Sequence, residues 1–170
     1  MLAPQVAVAN TLERMPEILQ LLASRIHRFE GRPSAGPRPA PANELVDEIT
    51  LRAGLGIVGD RYFGRRAHRD ASVTLIAAES LPPGADLVQT RRNVLLAGVA
   101  VDDLVGRQLS LDSGAGPVVL SVNRAAHPCG WLDVMIAPGT RSALRGHGGV
   151  RCTPLSDGTL RIGPVTVLVE

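Results

Sequence analysis

Short segments in which apolar and polar residues alternate recur from residue 45 to the C-terminus, and turn-forming residues separate them. Alternation with a period of two predicts strands that bury one face. Many short strands with few helical segments between them predict a mainly β fold with a few short helices, closed into a barrel or folded-over sheet. The predicted strands lie within residues 44–54, 72–77, 92–96, 107–112, 117–125, 150–155 and 159–170.

Four other segments carry weaker signals. Ser156-Asp157-Gly158 separates the last two predicted strands, and Asp-Gly favours a hairpin turn between them. Short helices are predicted near Ala77–Leu81 and over 138–145, the second ended by Gly146. Residues 5–29 stay ambiguous, because Met15, Leu19 and Leu22 follow helical spacing while the same residues also suit a strand.

The chain is expected to form one domain. Its 170 residues are enough to bury a single core. Residues 31–43, GRPSAGPRPAPAN, are rich in Pro and Gly and predict an extended loop that is too short to divide the chain. We therefore expect an N-terminal segment and loop over residues 1–44 and a core barrel over residues 45–169.

Composition excludes several classes of protein. All 18 basic residues are arginine, so the chain cannot hold pyridoxal phosphate as a lysine Schiff base. A net charge of +2 and only four aromatic residues argue against nucleic-acid binding. No apolar run is long enough to cross a membrane, and the N-terminus lacks the basic region of a secretory signal. We expect a cytoplasmic protein whose two cysteines stay reduced.

Arginines cluster at two places that suit an anion. The first is GLGIVGDRYFGRRAHRD, residues 54–70, where glycines that let a backbone approach a ligand surround four arginines. It lacks the lysine of a phosphate-binding loop, and solvated arginines on a turn remain an equal alternative. The second is Arg91-Arg92-Asn93, where adjacent arginines enter an apolar run. Such charges are costly unless they are paired or face a cleft.

A cysteine in a constrained turn is the candidate for chemistry. In HPCGWL, residues 127–132, Pro128 fixes the backbone before Cys129, and His127 stands two residues before it. A thiolate there would be a nucleophile and a soft-metal ligand, although an inert buried thiol is the commoner outcome for a cysteine. Cys152 lies in a β-like segment and is expected to be structural. No cysteine or histidine spacing suggests a zinc site.

The order of these elements resembles the MOSC domain, the C-terminal domain of molybdenum cofactor sulfurases. GLGIVGDRYFG, SVTLIAAESL, RRNVLLAGVAVDDLVGRQL, HPC, GHGGV and a C-terminal pair of strands follow one another over about residues 45–169. The resemblance implies a β-barrel and a cysteine that binds the molybdenum of a pterin cofactor or carries sulfur as a persulfide. In stand-alone relatives, the chemistry it implies is the reduction of N-hydroxylated compounds.

Carried over by position, Cys129 matches the family cysteine, the expected metal ligand and catalytic residue. Asp60 and Arg61 match the GDR element, and Arg91, Arg92 and Asn93 match the RRN element. The resemblance implies that the arginines contact the cofactor phosphate and that Asp60 orients Arg61, with His127 beside the cysteine. Tyr62 stands where the family often has His, and Gly163-Pro164 replaces a Gly-Asp pair.

Three functions stay open at this point. The first is a molybdenum–pterin cofactor protein that acts on a small-molecule substrate with electrons from a donor protein. The second is a sulfur carrier that receives persulfide sulfur on Cys129 from a cysteine desulfurase. The third is a non-catalytic module that binds a pterin or another anion. All three use the same pocket, which requires Cys129 to face a cleft lined by Arg61, Arg91 or Arg92.

Overall fold

The computed structural model describes residues 14–170. Strands and short helices alternate along the chain. The strands are β1 (Glu17–Leu22), β2 (Leu45–Val46), β3 (Glu48–Arg52), β4 (Gly56–Ile57), β5 (Val73–Ala77), β6 (Val94–Ala97), β7 (Gln108–Asp112), β8 (Val118–Ala125), β9 (Val150–Pro154), β10 (Gly158–Arg161), β11 (Gly163–Pro164) and β12 (Thr166–Val169). The α-helices are α1 (Leu87–Thr90), α2 (Trp131–Met135) and α3 (Thr140–Ala143), and 3-10 turns cover Pro33–Ala35, Arg66–Ala71, Ala78–Ser80 and Val101–Leu104.

The strands form one large curled sheet and one small sheet. The large sheet has nine strands, eight of them in the order β11-β1-β6-β5-β9-β8-β7-β12, with β2 paired to β1. β10, β3 and β4 form the small sheet. β11 and β12 end the large sheet on opposite sides, yet only Val165 separates them along the chain. The sheet must therefore curl until its ends meet, which gives the mainly β, half-barrel fold that the alternating segments predict.

The core fills the inside of this curl. β8 alternates between buried and less buried residues, so Val118, Leu120 and Val122 point inwards. Every residue of β5 is buried, because its two faces are both covered. Its outer face contributes Ile76 to a second apolar cluster with Leu87 of α1. That cluster fixes α1, and with it the arginines that follow, against the sheet.

The N-terminal segment is part of the sheet. Residues 17–22 form strand β1, so the strand alternative for residues 5–29 holds there, and the part before Arg14 lies outside the described residues. β1 pairs with β6, β11 and β2. The large sheet thus starts at Glu17 rather than at residue 45. The chain then crosses the Pro/Gly-rich loop, which contains a single 3-10 turn, before it returns as β2.

The hairpin predicted at residues 156–158 is wrong. β9 pairs with β5 and β8 in the large sheet, whereas β10 pairs with β3 in the small one. The reason lies in long-range contacts of the turn. Asp157 Oδ1 accepts a hydrogen bond of 2.8 Å from the Ala53 amide, and Asp157 also pairs with Arg52. These contacts direct the chain to β3 rather than back along β9.

The predicted helices are present but shorter. Ala78–Ser80 is a 3-10 turn, and α3 ends shortly before Gly146, whose φ of +79° reverses the chain. The sequence patterns miss α1, which begins with a capping box between Asp86 and Gln89. Among the helices of residues 14–170, none combines the length and apolar composition that a membrane crossing needs.

Candidate functional site

The loop between β1 and β2, residues 23–44, is called the N-terminal loop. A cavity of about 230 Å³ lies where this loop, α1, β9 and the start of α2 meet. Its wall combines one thiol, three aromatic rings and an unusual density of positive charge. The arginines are Arg28, Arg61, Arg91, Arg92 and Arg151; the aromatic residues are Phe29, Tyr62 and Trp131; the thiol is Cys129. The structure therefore brings together Cys129, Arg61 and the Arg91-Arg92 pair, which come from three distant parts of the sequence.

Cys129 lies in the turn between β8 and α2. The turn presents it at the surface, and Cys129 is exposed. Its carbonyl accepts a hydrogen bond of 3.1 Å from the Leu132 amide, which joins the turn to α2. Gly148 packs directly behind the turn, where a Cβ would come within 2.2 Å of the Ala126 carbonyl oxygen and 3.0 Å of Pro128. Only glycine allows this approach, so the GHGGV segment supports the cysteine turn.

Arg92 also holds this turn in place. Its guanidinium donates to the carbonyls of Gly148 at 3.0 Å, Ala126 at 3.3 Å and Thr90 at 3.5 Å. Within residues 14–170, no carboxylate pairs with it. Burial, and then the positive charge of Arg151, lower the pKa of Arg92 to about 10, while an ionised Cys129 acts in the opposite direction. Arg92 therefore stays charged at neutral pH, and its positive charge interacts with the negative charge of an ionised Cys129.

Arg61 is held in place by Asp60 and by backbone. Asp60 Oδ1 accepts from Arg61 Nη1 at 3.2 Å, and Arg61 Nη2 donates to the Arg91 carbonyl at 3.1 Å. Asp60 also accepts from the Ser24 and Tyr62 amides, and its side chain is fully buried. Asp60 thus orients Arg61 and does not itself face the cavity.

Arg91 has a left-handed backbone, with φ of +59°, at the end of α1. Its Nη1 donates to Glu44 Oε1 at 2.7 Å in a pair whose two side chains are almost completely buried. Its Nη2 donates to the Ile26 carbonyl at 3.2 Å. Burial lowers the pKa of Arg91, and Glu44 opposes that shift. With its charge already neutralised, Arg91 serves mainly to tie the N-terminal loop to the sheet.

The remaining arginines of the wall lack acidic partners. Arg28 is buried and donates only to backbone carbonyls, those of Arg38 at 2.8 Å and Val88 at 3.5 Å. Arg151 projects from β9 beside Cys152. In the described part of the chain, neither forms an ion pair with a carboxylate. Together with Arg92 they leave the cavity with uncompensated positive charge, and guanidinium groups of this kind suit phosphate or carboxylate oxygens.

Two residues expected to contact a ligand lie elsewhere. Asn93 is fully buried behind Thr74: its Oδ1 accepts from the Thr74 amide and hydroxyl, and its Nδ2 donates to the Leu22 carbonyl and to Asp60. It therefore supports the wall from behind. His127 is exposed and is not among the residues that line the cavity. The histidine that does line it is His27, which stacks edge-on against Tyr62 with ring centroids 5.1 Å apart.

Sequence patterns miss the contribution of the N-terminal loop. His27, Arg28 and Phe29 line the cavity, although nothing in their local sequence marks them. Phe29 stacks on Trp131 with ring centroids 4.8 Å apart and an interplanar angle of 6°. Trp131 follows Cys129 by two residues, so this stack connects the loop to the cysteine turn.

The second cysteine has a different environment. Cys152 is fully buried on β9, and burial raises the pKa of its thiol to about 12. It is therefore a structural residue, as its β-like segment indicates. Over residues 14–170, no group of three or more Cys, His, Asp or Glu side chains is arranged to hold a metal ion. The cavity thus offers one accessible soft ligand and a cationic wall.

Solved structures share this fold. YuaD from Bacillus subtilis has a TM-score of 0.66 at 18% identity, over 91% of this chain and 96% of that one. YiiM from Geobacillus stearothermophilus has a TM-score of 0.58 at 16% identity, over 90% of this chain and 75% of that one. YiiM from Escherichia coli has a TM-score of 0.53 at 15% identity, over 89% and 69%. The fold is MOSC-like. No protein-family model and no curated protein matches the sequence.

Proposed function

We propose that this protein binds a phosphorylated molybdenum–pterin cofactor in the cavity, with the Cys129 thiolate as a molybdenum ligand. One observation carries the proposal. An exposed thiol lies on the wall of a cavity whose other wall residues include Arg28, Arg92 and Arg151, which have no carboxylate partner among the described residues. A soft ligand next to unpaired guanidinium groups suits a ligand that is both a soft metal complex and an anion.

The set of donor atoms fits such a cofactor better than a free metal ion. A structural metal site needs several protein ligands, and the described residues provide no such group here. A metal bound at Cys129 would therefore take most of its ligands from its own organic cofactor. The phosphate of that cofactor would be held by the arginines. Arg92 is best placed for this, because it is charged, rigidly held and close to Cys129.

In this proposal each residue of the chain has a limited task. The bound cofactor would supply two-electron redox chemistry. Pro128, Gly148 and Arg92 hold the turn that presents the sulfur atom of Cys129. Asp60 and the Arg91 carbonyl hold Arg61 at the cavity wall. Pre-oriented groups of this kind bind a ligand without the entropic cost of ordering their side chains.

The proposed reaction is the reduction of an N-hydroxylated small molecule, with electrons from a separate donor protein. The MOSC-like fold and the resemblance of the HPC segment to the segment that carries the family cysteine support this choice. The reduction consumes two electrons and two protons and releases water, so a donor must supply the electrons. His27 is a candidate for proton transfer, since it lines the cavity beside Tyr62.

The test is the molybdenum and pterin content of protein purified from a host that makes the cofactor. Wild-type protein is expected to contain close to one molybdenum per chain, and Cys129→Ser to contain little. Cys152→Ala is the matched control, because it changes the other cysteine without touching the cavity, and it should keep its molybdenum. Absence of molybdenum from the wild-type protein, or equal content in Cys129→Ser, would contradict the proposal.

A sulfur carrier is the second candidate, and the charge around the thiol favours it. Arg92 and Arg151 line the same cavity as Cys129, and their guanidinium groups would attract the negative charge of a persulfide on that residue. The check is mass spectrometry after incubation with a cysteine desulfurase and cysteine. A sulfur adduct confined to Cys129, in protein without molybdenum, would replace the first proposal with this one. If Cys129 acquires no sulfur under these conditions, the carrier function is excluded.

A further inference from the structure

The concave surface does not end at the cavity. Beyond Arg61 and Tyr62 it continues as two depressions of about 410 and 310 Å³. The first shares His27, Arg61 and Tyr62 with the cavity, and the second shares Arg61 with both. We call these two depressions together the outer groove. The cavity and the outer groove therefore adjoin at His27, Arg61 and Tyr62.

The outer groove is strongly cationic. Arg25, Arg65 and Arg66 line it, and all three are exposed. Over residues 14–170, none of them forms an ion pair with a carboxylate. The acidic residue that lines the groove is Asp60, whose oxygens already accept from the Ser24 and Tyr62 amides, from Arg61 and from Asn93. The positive charge of the groove is therefore available to a ligand.

A rigid bridge separates the two cationic regions. The Arg61 guanidinium lies 4.6 Å from the centroid of the Tyr62 ring, and His68 packs against the same ring at 4.5 Å. Asp60 and the Arg91 carbonyl fix Arg61 in this position. Since the ring contacts His27, His68 and Arg61, the bridge is a packed partition and not an open stacking platform. An elongated ligand would pass over it and meet arginines at both ends.

We propose that the outer groove is a second anion subsite and that the ligand of this cavity is an elongated small molecule with at least two separated anionic groups. One group would lie at Arg92 and Arg151 in the cavity, and the other at Arg65 and Arg66 in the outer groove. The inference deepens the proposed function, because it assigns a further charged group to the ligand of the same cavity. It depends on the arginines and not on the thiol.

Linear phosphates of increasing length test this directly by isothermal titration of protein made in a host without the pterin cofactor. Orthophosphate, pyrophosphate and tripolyphosphate are the probes. Tripolyphosphate is expected to bind roughly tenfold tighter than orthophosphate, since a second anchored group adds a binding contribution with little further entropic cost. Arg65→Ala/Arg66→Ala should remove most of this gain and abolish orthophosphate binding in the outer groove, while the affinity of the orthophosphate site at Arg92 and Arg151 stays unchanged.

The matched control is Arg141→Ala/Arg145→Ala, which removes two exposed arginines on or beside α3, outside the cavity and groove. This control variant should still bind tripolyphosphate more tightly than orthophosphate, by the same factor as the wild-type protein. An equal loss in both double variants would show attraction to net charge only and would overturn the subsite. No gain from orthophosphate to tripolyphosphate in the wild-type protein would overturn it as well.

The molybdenum content and the phosphate affinities of the wild-type protein separate this inference from the proposed function. Wild-type protein that contains no molybdenum but binds tripolyphosphate more tightly than orthophosphate would leave the subsite standing while the metal proposal fails. Wild-type protein that contains close to one molybdenum per chain but binds tripolyphosphate no more tightly than orthophosphate would support the metal proposal and overturn the subsite.

Discussion

At the scale of single residues, the two cysteines show how environment decides chemistry. Cys129 is exposed on a turn beside arginines, whereas Cys152 is fully buried in β9 with the pKa of its thiol raised to about 12. The sequence indicates this difference: Pro and Gly flank the first cysteine, and β-like alternation surrounds the second. It does not indicate which histidine lines the cavity, because His27 reaches it only through the path of a loop.

Selective alkylation is therefore expected. Iodoacetamide should modify the native protein at Cys129 alone, because the reaction needs an accessible thiolate. Cys152 should stay unmodified even at about pH 9, since burial keeps its thiol protonated well above that pH. Intact-mass and peptide mass spectrometry count and locate the adducts. Two adducts on native protein would contradict the assignment, and two adducts after denaturation provide the positive control.

At the scale of elements, the cysteine turn depends on contacts that cross the whole cavity wall. The alternating segments predict most strands, because each strand carries its own apolar face. They fail at Asp157-Gly158, where bonds from Asp157 to Ala53 and Arg52 override the local hairpin preference. Long-range contacts that a local pattern does not show also explain why GHGGV contains Gly148. The sequence of this segment suggests a helix end, but Gly148 is required because the Ala126 carbonyl lies where its Cβ would be.

Gly148→Ala should therefore displace the cysteine turn. The added methyl group would meet the Ala126 carbonyl oxygen at 2.2 Å and Pro128 at 3.0 Å, and backbone must move to relieve these contacts. We expect a loss of stability of about 1–3 kcal/mol, typical of overpacking, and a changed rate of Cys129 alkylation. Urea unfolding and alkylation kinetics measure the two effects. Gly146→Ala is the control, since nothing lies within 4 Å of its Cβ position: it should lose stability through its positive φ without changing the alkylation rate.

At the scale of the whole molecule, the candidate site exists because the chain ends and the N-terminal loop close around the sheet. β11 and β12 join the two ends of the curl, and β1 inserts between β11 and β6. The loop after β1 then supplies Arg28 and Phe29 to the cavity. Sequence patterns predict a barrel-like sheet but start it at residue 45, because β1 carries helical as well as strand-like spacing and only its partners decide between them.

The buried ion pair of Arg91 and Glu44 holds this loop to the sheet. Substitution of the pair tests how much it contributes to the closing of the loop over the sheet. Arg91→Met should destabilise the protein by about 3–5 kcal/mol, because it leaves the Glu44 carboxylate buried without its partner. Arg91→Met/Glu44→Leu should recover much of that loss, since two apolar side chains can pack where two charges had to be desolvated. The free energies of unfolding of the wild-type protein, both single variants and the double variant form a double-mutant cycle. Additive losses in the cycle would show that the pair does not act as a unit, and the loop would then owe its position to other contacts, such as the stack of Phe29 on Trp131.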